Sequence, residues 1–145
     1  MLGRTAQNLF WLSRYVERAE NMARLLEVGY RMSLTSRREG GASEHLVSML
    51  QAAEMDEEFA KKHKVPDVAS VSHFMLFDEE NYSSVRSCLL AARTNARSVR
   101  TALTSEVWET INSAWLEFSQ IKPREVHGGR LQELLGWVKN VSQQF

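Results

Sequence analysis

Acidic and basic side chains are interleaved from position 17 to position 31, as Glu17, Arg18, Glu20, Arg24, Glu27 and Arg31. On a helix turning about 100° per residue, Glu17, Glu20, Arg24, Glu27 and Arg31 share one narrow sector. Glu20–Arg24 and Glu27–Arg31 are i,i+4 pairs in the favourable order, glutamate first, and each exposed pair adds only about 0.3–0.5 kcal/mol. A second row, Arg86, Arg93, Arg97 and Arg100, lies much later in the chain. Every base in the two rows is arginine. Its planar fork grips a carboxylate or phosphate at two points, which lysine cannot reproduce. Three readings follow. The acidic row of one helix pairs with the arginine row of another and fixes their register. Some of the arginines line a cleft and await an anionic ligand such as a carboxylate or phosphate. Or the rows are solvated faces.

Other chemistry is poorly supported. His45, His63, His73 and His127 show no HExxH or i,i+4 ligand spacing, so no metal site is expected. Ser43, Ser83 and Ser84 suit helix caps better than nucleophiles, and no G-x-S-x-G occurs. "REGGAS" lacks the Lys-Ser/Thr ending of a phosphate loop. No cofactor motif is present. Cys88 falls on an apolar stripe, the setting of an inert structural thiol. Trp11, Trp108, Trp115 and Trp137 follow helical spacing and are expected in the core.

The elements that must carry these residues are helices. Strand alternation with hairpin signals is missing, and only Pro66, Pro123 and seven glycines interrupt the chain. A first helix is expected from a cap at Thr5 to about Ser33 or Ser36. Leu9, Leu12, Val16, Ala19, Ala23, Leu26 and Tyr30 form its seam. Trp11, Tyr15, Met22 and Leu25 widen that seam, so several neighbours must cover it. "SRREGGAS" reads as a glycine-rich turn, and Ser43 caps a second helix running to about Met55. Asp56–Val65 reads as a short helix or loop, and Asp67 caps a helix that ends before "DEENYSS". A long helix from about Ser83 buries Val85, Cys88, Leu89, Ala92, Ala96, Val99 and Leu103. Its alanines allow another helix to come close. Thr104 and Ser105 interrupt it, and a helix resumes through Trp108, Ile111, Trp115 and Phe118. "IKPREVHGG" is a loop before a last helix. The expected fold is all-α, an up-and-down bundle of five or six helices in a single domain over 1–145.

With 145 residues, 43% of them hydrophobic, the chain can bury a core. Its net charge of zero offers no general attraction for nucleic acid or an anionic membrane. Cys88 is the sole cysteine, which excludes an internal disulfide. No apolar run reaches the roughly 18 residues of a membrane span, and no signal peptide is evident. A cytoplasmic protein is expected. Charge is nevertheless segregated. Residues 1–42 hold seven Arg and four Glu, residues 43–82 three Lys and nine acids, and residues 83–145 eight bases and five acids. The acidic middle suits either intramolecular pairing or a partner surface.

The opening "MLGRTAQNLFWLSRYVERAENMARLLEV" resembles that of the bacterial alpha-E domain family, helical proteins sharing a Glu-Arg pair, here Glu17-Arg18. "NYSSV", "AARTNARSVR" and "SEVWETIN" resemble the family's second block. Residues 37–66 match poorly. The resemblance implies a chain about twice this long with a second Glu-Arg helix, so this sequence is expected to be a half-length member or a truncated form. A homo-oligomer, or a partner supplying the missing half, would complete it. The resemblance also implies gene neighbours that are ATP-grasp ligases and transglutaminase-like proteins, and hence a role in peptide-bond formation or peptide modification. It marks Glu17, Arg18, Glu20, Arg24, Arg93, Arg97 and Arg100 as candidate binding residues.

Three functions are therefore in play. The first is a non-catalytic accessory or scaffold that docks an ATP-grasp-type ligase or its peptide. The second is an enzyme or ligand-binding domain, with Glu17 or Glu20 as base and arginines holding an anionic substrate. A carboxylate among arginines stays ionised and is a weak base near neutrality, which argues against the enzyme. The third is a structural oligomerisation module.

Overall fold

The structure is a computed structural model and describes residues 2–35 and 41–144. Seven α-helices are present among them, with no strand: α1 (Leu2–Thr35), α2 (Gly41–Ala52), α3 (Asp56–Lys62), α4 (Val68–Leu76), α5 (Val85–Ser98), α6 (Ser105–Ser119) and α7 (Gly129–Gln143). Short 3₁₀ turns at Arg100–Ala102 and Pro123–Glu125 precede α6 and α7. The all-α expectation holds, with one or two more helices than periodicity separates.

The long helix α1 is the spine. At 34 residues it is more than twice the length of any other element, about 50 Å at 1.5 Å per residue. It packs against α2, α4, α5 and α7. The heptad-like seam explains why. Leu12, Val16, Ala19, Ala23 and Leu26 are all buried, with Met22 beside them. Two apolar clusters divide along its length. Leu12 and Val16 meet Ala92, Ala96 and Ile111 near one end. Ala19, Ala23 and Leu26 join the main core of α2, α4, α5 and α7. The small side chains of Ala92 and Ala96 let α5 lie close along α1. Gly29 does the same for α2: a Cβ there would stand 2.5 Å from Met49 Sδ.

Caps decided by nearby residues form as expected. Asp67 and Ser70 make a reciprocal capping box at α4, with Ser70 N donating to Asp67 Oδ1 at 2.7 Å. Thr104 Oγ1 accepts from Val107 N and starts α6. Ser84 Oγ accepts from Ser87 N and starts α5. Two other expected starts are corrected. Thr5 lies inside α1, which begins at Leu2. Ser43 lies inside α2, which begins at Gly41. In both cases helical geometry is compatible with the preceding residues, so nothing obliges the helix to start at the hydroxyl. Of the expected "SRREGGAS" turn, residues 36–40 lie outside those described, and residues 41–43 are instead the first turn of α2. The tryptophans are also less buried than expected. Trp11 is 40% exposed and stands edge-on to exposed Phe10, while Trp108, Trp115 and Trp137 are half-buried.

"DEENYSS" is a structured corner. Asn81 Nδ2 donates to the Phe74 carbonyl near the end of α4 at 2.9 Å, and Asn81 Oδ1 accepts from Ser83 N at 3.1 Å. One amide thus closes α4 and aims the chain into α5. Asp78, buried at the same corner, takes Lys62 Nζ on both oxygens at 3.0 and 3.1 Å and the Glu80 N–H at 2.9 Å. Lys62 also reaches Glu80 at 3.0 Å, and Arg86 reaches Glu79 at 3.0 Å. Part of the acidic middle is therefore neutralised from within the chain. Burial would raise the Asp78 pKa, but Lys62, the Glu80 N–H and His73 overcome it and hold the carboxyl below its ordinary range.

Candidate functional site

The two charged rows do not meet. This corrects the expected pairing of glutamates on α1 with arginines on α5. Along α1, Glu20 pairs with Arg24 at 3.2 Å and Glu27 with Arg31 at 3.1 Å. Those are the local i,i+4 pairs. Glu17 instead turns back to Arg14, whose Nη1 donates to Oε2 at 3.2 Å, and both side chains are more than half exposed.

The arginines of α5, and Arg100 in the 3₁₀ turn after it, look towards α6 and the corner before α5. Arg93 Nε donates to Asn112 Oδ1 at 2.8 Å. The Arg86 guanidinium lies over the Trp115 ring at 5.1 Å, and that of Arg100 over Trp108 at 5.1 Å. Arg97 is exposed and has no ion pair among the described residues. The reason is rotational. The apolar stripe of α5 faces α1, so the arginine row beside it is carried round to the flank where α6 packs. Indole faces, an amide and, for Arg86, the Glu79 carboxylate take the place that the α1 glutamates were expected to fill.

An ion pair between α1 and another helix does exist, with a different base. Lys139 Nζ on α7 donates to Glu27 Oε2 at 2.6 Å, each side chain about a quarter exposed. The Lys139 hydrogen bond holds the Glu27 carboxyl below its ordinary pKa against the opposing effect of burial, with help from Arg31 and Arg24. The register-fixing role expected of arginines thus falls to a lysine.

One candidate group does line a cavity. Arg14, Glu17, Arg18 and Asn21 on α1 face Ala53 after α2 and Ser83 before α5, around a shallow cleft of about 250 Å³. Adjacent residues on a helix diverge by about 100°, so the Glu17 and Arg18 side chains leave α1 in different directions and serve different ends. Glu17 holds Arg14. Arg18 is half-buried and lies over its neighbour Tyr15, 5.7 Å from the ring centroid, with no acidic partner among the described residues. The side chains of Asn21 and Ser83 likewise have no hydrogen bond among the described residues. A guanidinium, an amide and a hydroxyl therefore converge with donors unspent. Ser83 immediately precedes the N-cap of α5, so the helix end adds positive potential to the same place.

The sequence carries exactly one Glu-Arg dipeptide, at Glu17-Arg18. The sequence model of the Alpha-E family, described as a predicted alpha-helical domain with a conserved ER motif, matches residues 1–145. The chain belongs to the Alpha-E family. Neither a curated protein nor a solved structure matches it. The family match includes residues 37–66, where the resemblance read from the sequence is weak.

Within this Alpha-E domain, then, the seven marked residues separate into three places. Glu17 and Arg18 share the cleft. Glu20 and Arg24 pair with each other beside it. Arg93 and Arg97 on the flank of α5, and Arg100 in the 3₁₀ turn after it, do not join them. Sequence reasoning missed Arg14, Asn21 and Ser83. Arg14 and Asn21 had a signal, since they fall at i−4 and i+3 from Arg18 and so on its face. Ser83 had none, because its place beside α1 depends on how the corner before α5 folds. Cys88 is buried below the same region, and burial pushes its thiol up to about 12 despite the nearby Arg18 charge. At neutral pH it is not the thiolate that nucleophilic chemistry requires. Among the described residues no group of three His, Cys, Asp or Glu is placed to hold a metal ion, and no helix is long and apolar enough to cross a membrane.

Proposed function

We propose that this Alpha-E domain is a non-catalytic helical accessory protein that holds an anionic group of a peptide at the Arg18 cleft and presents it to an ATP-grasp-type ligase for synthesis or modification. The observation carrying the binding half is the convergence of Arg18, Asn21 and Ser83, three side chains with hydrogen-bond donors to spare, in a cleft whose one acid, Glu17, is paired with Arg14. A carboxylate seated there would take two-point contact from the guanidinium and further bonds from the amide and hydroxyl. The ligase half rests on the family resemblance, as does the alternative of a transglutaminase-like partner. A cytoplasmic location, where ATP-dependent ligation takes place, fits the reading.

The test has two arms. Binding of short peptides with a free or an amidated C-terminus is measured by calorimetry on the wild-type chain and on Arg18→Met. Preference for the free carboxylate, lost by about tenfold or more in the variant, supports the reading; a tenfold change is about 1.4 kcal/mol, within the range of one charge-assisted contact. Equal binding of both peptides, or an unaffected variant, removes the cleft from the account. Co-purification with an ATP-grasp-type ligase of the kind the resemblance implies tests the partner. Its absence leaves the cleft standing and removes the scaffold role.

A second reading has its own support. Phe10, Trp11, Val28 and Met32 on α1 are exposed apolar side chains at 40–57%, which suits an oligomerisation surface. Light scattering decides it: a strict monomer at high concentration ends it. The enzyme reading is less favoured, because Glu17 pairs with Arg14 and Glu20 with Arg24.

A further inference from the structure

We infer that a groove between α4 and residues 121–128 binds a small organic acid, one with a compact apolar body and a single carboxylate. It stands on residues separate from the Arg18 cleft and does not depend on it.

The groove encloses about 460 Å³, within the range of small-molecule sites. Its apolar lining comes from Ala69 and Phe77 on one side and Pro123 and Val126 on the other. Set in that lining is Ser72 of α4, 4% exposed, whose Oγ has no hydrogen-bond partner among the described residues. Buried hydroxyls are nearly always paired, so an unpaired one needs a reason. A helical serine can satisfy itself on the carbonyl four residues back, and this hydroxyl makes no such bond. It is an unspent donor and acceptor in the wall of the groove.

The rim supplies the complementary charge. Arg124 and His127 are exposed, both line the groove, and neither has an acidic partner among the described residues. His73, also exposed, lines both this groove and a neighbouring cavity around Asp78 and Arg86. No aspartate or glutamate lines this groove. An apolar interior, one buried hydroxyl and a cationic rim describe a ligand with a hydrophobic body and an anionic end. A bare anion would leave the apolar lining wet, and a neutral ring would leave Arg124 unanswered.

Sodium benzoate is the probe, titrated into ¹⁵N-labelled protein, with benzyl alcohol and inorganic phosphate as controls. The expected result is saturable binding of benzoate with amide shifts at Ser72, Phe77, Val126 and His127. Benzyl alcohol and phosphate should each bind about tenfold more weakly or worse. Arg124→Gln, an exposed change that leaves the fold intact, should weaken benzoate by about tenfold, the worth of one charge-assisted contact. Ser72→Ala should weaken benzoate as well, with thermal stability unchanged or raised because an unpaired hydroxyl is gone. The inference is overturned by non-saturating benzoate, by phosphate binding as tightly as benzoate, or by benzoate affinity that both substitutions leave untouched.

Discussion

Glu27 and Lys139 join the two ends of the chain across α1 and α7, and a double-mutant cycle on them measures that junction. The substitutions are Glu27→Gln and Lys139→Met, singly and together, all compatible with helix. The contact is short at 2.6 Å, and the side chains are 23% and 24% exposed. Fully exposed pairs couple by about 0.2–1 kcal/mol, and removing one partner of a fully buried pair costs about 3–5 kcal/mol. A pair roughly three-quarters covered, with Arg31 on the other glutamate oxygen, should couple by about 1–1.5 kcal/mol. Urea unfolding followed by far-ultraviolet circular dichroism at pH 7 gives the four stabilities. The pH dependence has a definite sign. Glu27 titrates below its ordinary value of 4.5 in the folded chain. Its contribution is therefore complete above that value and disappears as the pH falls through the lower folded pKa. The coupling should be absent well below pH 4.5. A coupling under about 0.3 kcal/mol at pH 7, or one that persists in acid, refutes the claim that this pair fastens α7 to α1.

Arg97→Met should change stability by less than about 0.5 kcal/mol, as for an ordinary surface substitution, in the same urea assay. A loss of several kcal/mol would restore the buried charge lattice that the sequence suggests. Asp78→Asn should cost about 1.5–3 kcal/mol, since the buried carboxylate accepts from Lys62 and the Glu80 N–H. Because the Asp78 carboxyl is held below its ordinary 3.8, the gap between wild type and variant should close as the pH drops below that value; a constant gap counts against the ion pair. Gly29→Ala should be worse tolerated in the wild type than in a Met49→Ala background, where the 2.5 Å conflict is gone and the roughly 1 kcal/mol helix propensity gain is left. Equal effects in both backgrounds would mean that α1 and α2 do not meet there.

Much of the fold is legible because it is local. Alternating three- and four-residue steps from Leu9 to Tyr30 dictate a helix with a buried seam, whatever packs on it. The Asp67 box and the Thr104 cap involve residues three apart, so they form wherever the chain turns. Glu20–Arg24 and Glu27–Arg31 are legible for the same reason, since one helix contains both partners. Helix starts at Leu2 and Gly41 are not legible: no stop signal precedes Thr5 to show that the helix is already under way, and the glycines before Ser43 read as a turn although Gly41 is helical.

The candidate site divides along the same line. Composition and spacing alone specify an all-helical chain, the Glu17-Arg18 pair on its longest helix, and the i,i+4 ion pairs beside it. Tertiary structure alone decides what each charge faces. The rotation of α5 about its axis sends Arg93 to Asn112, the 3₁₀ turn after α5 sets Arg100 over Trp108, and both are kept from the glutamates. The fold of the corner before α5 brings Ser83 to Arg18, and the return of α7 brings Lys139 to Glu27. Periodicity sets which residues share a face of a helix; it holds no information on the angle at which that face meets its neighbours, and for side chains that act in pairs the angle chooses the partner.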